Sequence, residues 1–369
     1  MESTTVGVVR QTTPGERRVA LVPDAVARLR ESGVRVLVES GAGAAATFAD
    51  SAYIKAGATI ATAADVCAQA DVLVCVSPPE AFELHQGQAV LGLLQPAARP
   101  DRIRDWACAG VTAISLDRLP RTLSRAQSMD ALTSQANVAG YKAVLVAANA
   151  YGGYLPMMMT AAGTVKPATV LVLGAGVAGL QAIGTARRLG AIVTGYDVRP
   201  EAREEVRSLG ARFLDLGESV NASGSGGYAR ELNEAERDAQ QHALDERIAG
   251  FDIVITAAAV PGRRPPLLVT DTALKGMRPG SVVVDTAAGP LGGNVALSRP
   301  GATEVVGDGV TVIGAGDLPA QMPVAASTAY ARNICATLSY LLRDGVLTID
   351  TTDELQSAIV VCHEGGIRI

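Results

Sequence analysis

The sequence predicts an α/β protein made of two doubly wound parallel-sheet domains with a cleft between them. Three observations lead there. The first third alternates short β-branched runs with helical stretches. A second alternating unit opens at Ala168. The composition fits as well: 369 residues, 48% hydrophobic but only 4% aromatic, with 39 glycines. Such a chain has enough length for two aliphatic cores and enough glycine for many tight turns.

In the first unit the β-branched runs place strands at Thr5–Arg10, Val34–Glu39, Asp71–Val76, Ala89–Leu94 and Val111–Leu116. Pro23–Ser32 and Ala61–Ala70 read as helices between them. Strands that alternate with helical patterns form parallel sheets. A long helix is expected from Gln127 to about Tyr151, leaving this domain. The second unit has strands at Thr169–Leu173, Asp252–Ala257, Ser281–Thr286 and Val310–Gly314. Ser219–Tyr228 is a Gly/Ser-rich loop, and Ala229–Ile248 a charged helix. Met322–Arg343 reads as a long returning helix, and Val361–Ile369 as an edge strand. The expected domains are therefore 1–126 with 322–369, and 127–321.

Charge and cysteine usage exclude several classes. The net charge is −5 without long runs of one sign, which argues against a nucleic-acid surface and against an anchor to acidic lipids. Five scattered cysteines lack C-x-x-C spacing and the three histidines are dispersed, so no metal site is expected. The start, MESTTVGVVRQ, is polar and then strand-like, with no signal-peptide core. Val138–Gly163 is long and weakly charged, but Lys142, Asn149, glycines and Pro156 interrupt it. It falls short of a membrane span and reads as a buried interdomain helix. The expectation is a soluble protein of a reducing compartment, with no direct membrane insertion.

The second unit carries a nucleotide signal. Gly174-Ala175-Gly176-Val177-Ala178-Gly179 is G-x-G-x-x-G, placed directly after a strand and opening a helix. The first glycine makes the turn, Gly176 lets backbone approach a pyrophosphate, and Gly179 lets helix pack on strand. The helix N-terminus, at Val177, then presents unpaired N–H groups to the phosphates. Asp197 ends the next strand and suits the adenosine ribose hydroxyls, which favours NAD over NADP; whether Arg199, a cation two residues on, softens that preference is left open by the sequence. Glu39-Ser40-Gly41-Ala42-Gly43 lacks the third glycine and the distal acid, and reads as a structural turn.

Ser124–Tyr141 (SRAQSMDALTSQANVAGY) places Arg125, Gln127 and Asp130 before a small, apolar helical stretch. Two readings fit. Ser124 or Ser128 caps the helix with Asp130 in its first turn, or the polar groups orient a bound nicotinamide.

The motifs together resemble the NAD(H)-binding component, domain I, of the proton-translocating nicotinamide nucleotide transhydrogenases. The matching blocks are PGERRVALVPDAV, SRAQSMDALTSQANVAGY, PMMMTAAGTVKPATVLVLGAGVAGLQAI, GSGGYARE, AAAVPG and MRPGSVVVDTAA, which span essentially the whole chain. The resemblance implies two Rossmann-like domains and a catalytic set of an arginine, Gln127 and Asp130 at the nicotinamide. The Pro-Arg context selects Arg121, with Arg125 the alternative in a run one residue longer than usual. Thr133 stands where a serine is usual. Asp197, Val198 and Arg199 match the adenosine-binding segment, Gly227 and Tyr228 a mobile loop that closes on the nucleotide, and Gln240 and Ala259 pocket positions. It also implies direct hydride transfer between NADH and NADP⁺, with the NADP(H) held by a partner beta subunit, coupled to proton translocation. The chain is then a peripheral subunit on the cytoplasmic, inner face of the cell membrane, a homodimer docked on membrane-embedded subunits.

Alanine dehydrogenase shares this architecture and the RVAL-x-P opening. That enzyme needs a lysine and a histidine for proton chemistry, yet the sequence reads LVCVSPP and LGLLQPAAR where they are expected. Arg18 remains, either as a carboxylate binder or as half of a structural ion pair. Hydride exchange between two nicotinamide rings needs close approach and dryness, with no general acid or base. An alanine-dehydrogenase-like enzyme and a non-catalytic NAD-binding protein are the alternative readings.

Overall fold

The computed structural model of the chain describes residues 3–78, 84–216, 234–259 and 262–368, with backbone alone for 234–240. It divides into two compact units, Met1–Gln135 with Pro319–Ile369, and Ala136–Leu318. The sequence placed the first boundary at 127; the first unit in fact keeps the turn at 124–129 and the start of the helix that follows.

In the first unit the strands are β1 (Thr5–Val8), β2 (Arg35–Glu39), β3 (Thr59–Ala61), β4 (Val72–Val74), β5 (Ala89–Gly92) and β6 (Thr112–Ser115). They lie in the order β3-β2-β1-β4-β5-β6, and every neighbour pairs in parallel. The central strands β1, β4, β5 and β6 are short runs buried on both faces, as a parallel sheet requires, while β3 at the edge is exposed or half-buried. Alternate residues feed opposite cores. Val72 and Val74 pack with the apolar cluster holding Tyr330 and Ile334, whereas Leu73 packs with Ile103 and Trp106. Helix α1 (Pro23–Glu31) opens with Pro23 and Asp24, ends with Arg28 and Arg30, and buries Ala25, Val26 and Leu29 on one face. Helix α2 (Asp50–Lys55) and β3 were not anticipated from the sequence, because both are short and their hydrophobic pattern is weak. Helices α3 (Ala63–Gln69) and α4 (Pro100–Cys108) complete the crossovers.

Helix α5 (Ala131–Ala150) carries the chain from the first unit to the second. The expected start at Gln127 is corrected: Ser124–Met129 is a 3₁₀ turn. Past α5, the rest of the Val138–Gly163 segment is no helix. It leads into an exposed hairpin of β7 (Met158–Thr160) and β8 (Gly163–Val165).

The second sheet uses β9 (Thr169–Leu173), β10 (Ile192–Tyr196), β11 (Arg212–Phe213), β12 (Ile253–Thr256), β13 (Val282–Asp285), β14 (Thr303–Val306) and β15 (Val310–Gly314). Its order is β11-β10-β9-β12-β13-β15-β14, parallel except for the antiparallel edge β14. Helices α6 (Val177–Arg188), α7 (Ala202–Ser208), α8 (Glu234–Ile248) and α9 (Asp271–Gly276) accompany it. Val170 and Val172 face one core, Leu171 and Leu173 the other.

The chain then returns to the first unit through α10 (Pro323–Leu341), a short β16 (Leu342–Arg343) and β17 (Val346–Leu347) hairpin, and α11 (Glu354–Ile359). The expected edge strand at the end is a hairpin instead, β18 (Val360–His363) and β19 (Gly366–Ile367), with β18 antiparallel to β6. No helix among the described residues is long and apolar enough to cross a membrane, and they hold no cluster suited to a metal ion.

Candidate functional site

In both sheets the strand order reverses beside the first strand, and ligands of such sheets lie beyond the strand C-termini at that point. In the second unit this point falls between β9 and β12, where the glycine turn begins. The three glycines have three different surroundings. Gly174 takes φ +95°, and a Cβ there would sit 2.8 Å from the Ala257 carbonyl carbon. A Cβ on Gly179 would meet the Gly174 oxygen at 1.8 Å. A Cβ on Gly176 would meet no protein atom within 4 Å. The middle glycine thus faces open space, which is what close approach of a pyrophosphate needs. Gly176 is also the N-cap of α6 and offers no side chain, so the first N–H groups of the helix, from Val177 on, are left for a ligand.

Asp197 stands just past β10 and is tied to that turn: Ala175 N donates to its Oδ2 at 2.8 Å. Arg199 also lies on this carboxylate. Its backbone N and Nε reach Oδ1 at 2.9 and 3.0 Å, and Nη2 reaches Oδ2 at 3.1 Å. Bonding to Asp197 raises the arginine pKa. Val198 between them is half-buried against the Leu171–Leu173 core. Across the turn, Ala258 is clamped by the fully buried Asn294, whose Oδ1 accepts from Ala258 N at 3.2 Å and whose Nδ2 donates to Ala258 O at 2.8 Å. Ala259, next in the chain, is exposed. Gly227 and Tyr228 lie outside the described residues, and Gln240 belongs to α8 with its side chain undescribed.

In the first unit the polar cluster closes on itself. Thr133 N donates to Asp130 Oδ1 at 2.8 Å, so Asp130 caps α5, rather than Ser124 or Ser128 as one reading had it. Thr133 Oγ1 donates to Asp130 Oδ2 at 2.6 Å and accepts from Arg121 Nη2 at 2.7 Å; Arg121 Nε reaches Asp130 Oδ2 at 3.1 Å. The three side chains form one ring of charge-assisted bonds. Arg125 points elsewhere, with Nη2 at 3.3 Å from Asp353 Oδ2. Gln127 is exposed and makes no side-chain hydrogen bond to another described residue.

Sequence reading missed the supports. Asn333 on α10 donates to Ser128 O at 2.9 Å and accepts from Ser134 Oγ at 2.7 Å, which fixes the turn bearing Gln127. These partners lie some 200 positions apart, and no local pattern announces them. Gly140, inside α5, meets Ala178 of α6; a glycine within a helical pattern was the signal available.

At the reversal point of the first sheet, Ser77 N donates to Gln11 Oε1 at 3.0 Å. Cys75 follows β4, fully buried, and burial pushes its thiol up to about 12. Leu94, also fully buried, follows β5. Arg18 pairs with Glu16, Nη2 to Oε2 at 2.6 Å and Nε to Oε1 at 2.8 Å, and Nη1 donates to Gln135 Oε1 at 2.9 Å. Its guanidinium is already matched to a carboxylate from the chain.

The chain is similar to known proteins over nearly its whole length. The family models described as alanine dehydrogenase/PNT, N-terminal and C-terminal domains, match residues 7–139 and 143–369. An NAD(P) transhydrogenase subunit alpha polypeptide of Rhodospirillum rubrum is 40% identical, covering 98% of this chain and 97% of the relative. The NAD(P) transhydrogenase subunit alpha of Cereibacter sphaeroides is 41% identical over 98% of this chain and 70% of the relative. Among solved structures, a transhydrogenase from Sinorhizobium meliloti superposes with a TM-score of 0.88 at 42% identity, covering 98% and 99% of the two chains. An L-alanine dehydrogenase superposes with a TM-score of 0.77 at 28% identity, covering 99% and 96%. The chain belongs to the alanine dehydrogenase/PNT family, among the relatives of NAD(P) transhydrogenase subunit alpha.

Proposed function

We propose that the chain is the NAD(H)-binding component of a proton-translocating transhydrogenase. It holds NADH for direct hydride transfer to NADP⁺ presented by a partner beta subunit, and membrane-embedded subunits couple the transfer to proton movement. Bound NADH would supply the hydride to NADP⁺, and a direct transfer of this kind asks no general acid or base of this chain, only that its residues hold and orient the ring.

The residues fit NAD(H). The open face of Gly176 and the amides from Val177 on seat the pyrophosphate, and Asp197 takes the adenosine ribose. Val198, Gly227, Tyr228, Gln240 and Ala259 complete the nucleotide pocket. Gln127, whose amide is exposed and unpaired among the described residues, bonds the carboxamide. Arg121 and Asp130 orient the ring, locked through Thr133.

The observation that carries this reading against an alanine dehydrogenase is the pair of strand ends after β4 and β5. A general acid or base works with a pKa near the operating pH. Cys75, held up to about 12, and apolar Leu94 supply none. The Arg18–Glu16 pair likewise leaves no guanidinium waiting for a substrate carboxylate.

We infer a homodimer on the inner face of the cell membrane, bound to its partners as a peripheral subunit. The β7–β8 hairpin supports the two-copy assembly. Met157 and Met159 are 57% and 79% exposed, and a lone two-stranded hairpin is marginal in water without a surface to pack on.

Stopped-flow mixing tests the function. The chain loaded with NADH is mixed with the NADP-loaded soluble domain of a family beta subunit. Rapid transfer that disappears without the partner is expected. NADH oxidation by pyruvate and ammonia, with no transfer to NADP⁺, would instead establish the dehydrogenase.

A further inference from the structure

A carboxylate has about four lone-pair positions. All four on Asp197 are taken by donors of the chain itself: Ala175 N and Arg199 Nη2 on Oδ2, Arg199 N and Nε on Oδ1. Two of these bonds come from one flat guanidinium fork. A ribose 2′,3′-diol likewise donates two bonds from adjacent atoms. The fork and the diol therefore compete for the same two acceptor positions, while both backbone amides remain in place.

We propose that Arg199 is an intramolecular stand-in for the adenosine ribose, displaced when the nucleotide binds, and that it lowers NAD(H) affinity by this competition. The inference rests on Asp197 being the ribose acid. The contact is well formed, since the Asp197 and Arg199 side chains are 9% and 18% exposed. Charge-assisted bonds to a shielded carboxylate are stronger than neutral ones, so the diol must displace a favourable pair. The guanidinium has somewhere to go. Glu201 and Glu205 both act on its charge, and an arginine moved off Asp197 stays among carboxylates. The competitor is local and rigidly placed, two residues from the acid, so it costs little order to re-form when the nucleotide leaves. Its effect on exchange is thus to weaken the hold on the adenosine end and to ease nucleotide release.

The experiment is calorimetric binding of NADH, and of NADH lacking the adenosine 2′- and 3′-hydroxyls, to the wild-type chain, Arg199→Ala and Arg199→Gln. Thermal unfolding without ligand confirms that both variants fold. The wild type should prefer NADH to the dideoxy analogue. Arg199→Ala and Arg199→Gln should each bind NADH about fivefold more tightly than the wild type does, and the dideoxy analogue unchanged. Equal or weaker NADH binding by both variants would overturn the competition while leaving Asp197 as the ribose acid. Equal wild-type affinity for NADH and the dideoxy analogue would overturn that underlying reading itself.

Discussion

A Cβ on Gly140 would lie 2.0 Å from the carbonyl oxygen of Ala178. Helix α5 and the first turn of α6 touch backbone to backbone at this point, Gly140 and Ala178 both belonging to the second unit. The contact seats the helix whose N-terminus follows the glycine turn. Gly140→Ala must push the two helices apart, and overpacking of this kind costs about 1–3 kcal/mol. Urea unfolding should show a lower midpoint, and NADH affinity should fall with it. An unchanged midpoint would show that α6 shifts freely and that the close approach sets nothing.

Arg121 and Arg125 lie four positions apart and have different partners. Arg121 bonds Thr133 and Asp130, whereas Arg125 meets Asp353. If the ring of side chains around Asp130 orients the nicotinamide, Arg121→Ala and Asp130→Asn should slow hydride transfer by about 10²-fold or more, the cost of a misplaced reactant. NADH binding should weaken far less. Gln127→Asn should behave the same way. Arg125→Ala, an exposed pair, should change transfer less than about twofold. Transient kinetics beside equilibrium binding separates the effects. A large loss with Arg125→Ala, or matched losses of binding and transfer in the others, would contradict the assignment.

The same ring makes a finer distinction at Thr133. Its hydroxyl both donates to Asp130 and accepts from Arg121. Thr133→Ser keeps both bonds and should transfer hydride at close to the original rate. Thr133→Val removes both while keeping the shape, and its transfer rate should drop toward that of Arg121→Ala. Equal rates for the serine and valine variants would place the hydroxyl outside the reaction.

The exposed methionines of the β7 hairpin predict an assembly. Met159→Asp puts a charge where a second copy would bury an apolar side chain, and burying an unpaired charge is costly. Sedimentation should show the wild type as a dimer and the variant with a larger share of monomer, while unfolding of the variant stays cooperative. A wild-type chain that sediments as a monomer at micromolar concentration would remove the hairpin from this role.

The five cysteines should differ sharply in reactivity. Thiolates react and thiols do not. Burial raises Cys67 and Cys335 to about 11 and Cys75 to about 12, and Cys362 is also raised. Cys108 is exposed on α4. At pH 8 the folded chain should take up one equivalent of iodoacetamide quickly, lost in Cys108→Ser, and five equivalents once unfolded. Fast native labelling of Cys75 would contradict a strand end closed to proton chemistry after β4.

Everything legible in the order of residues was local or periodic. Runs of β-branched residues marked the central strands of both sheets, because a strand buried on both faces needs them, whereas the short, partly exposed edge strands β3, β11 and β14 went unmarked. The glycine spacing and Asp197 were legible because a turn, a helix start and a strand end fall within two dozen residues of one another. The Asp130–Thr133 contact was also within reach, being three residues long. The rest waited for the folded chain. The sequence held Arg121 and Arg125 as alternatives, and only side-chain directions gave each its own carboxylate. It placed Arg199 near Asp197 without saying that the guanidinium covers both oxygens. It could not place Asn333 against Ser128, since that bond joins α10 to a turn 205 residues earlier. Nor could it turn the chain's last residues into a hairpin, because an antiparallel edge on β6 is fixed by which sheet edge lies open once the parallel strands have assembled. Propensity acts over a few residues, whereas hydrogen-bond partners and close approaches are set by which distant segments share a space.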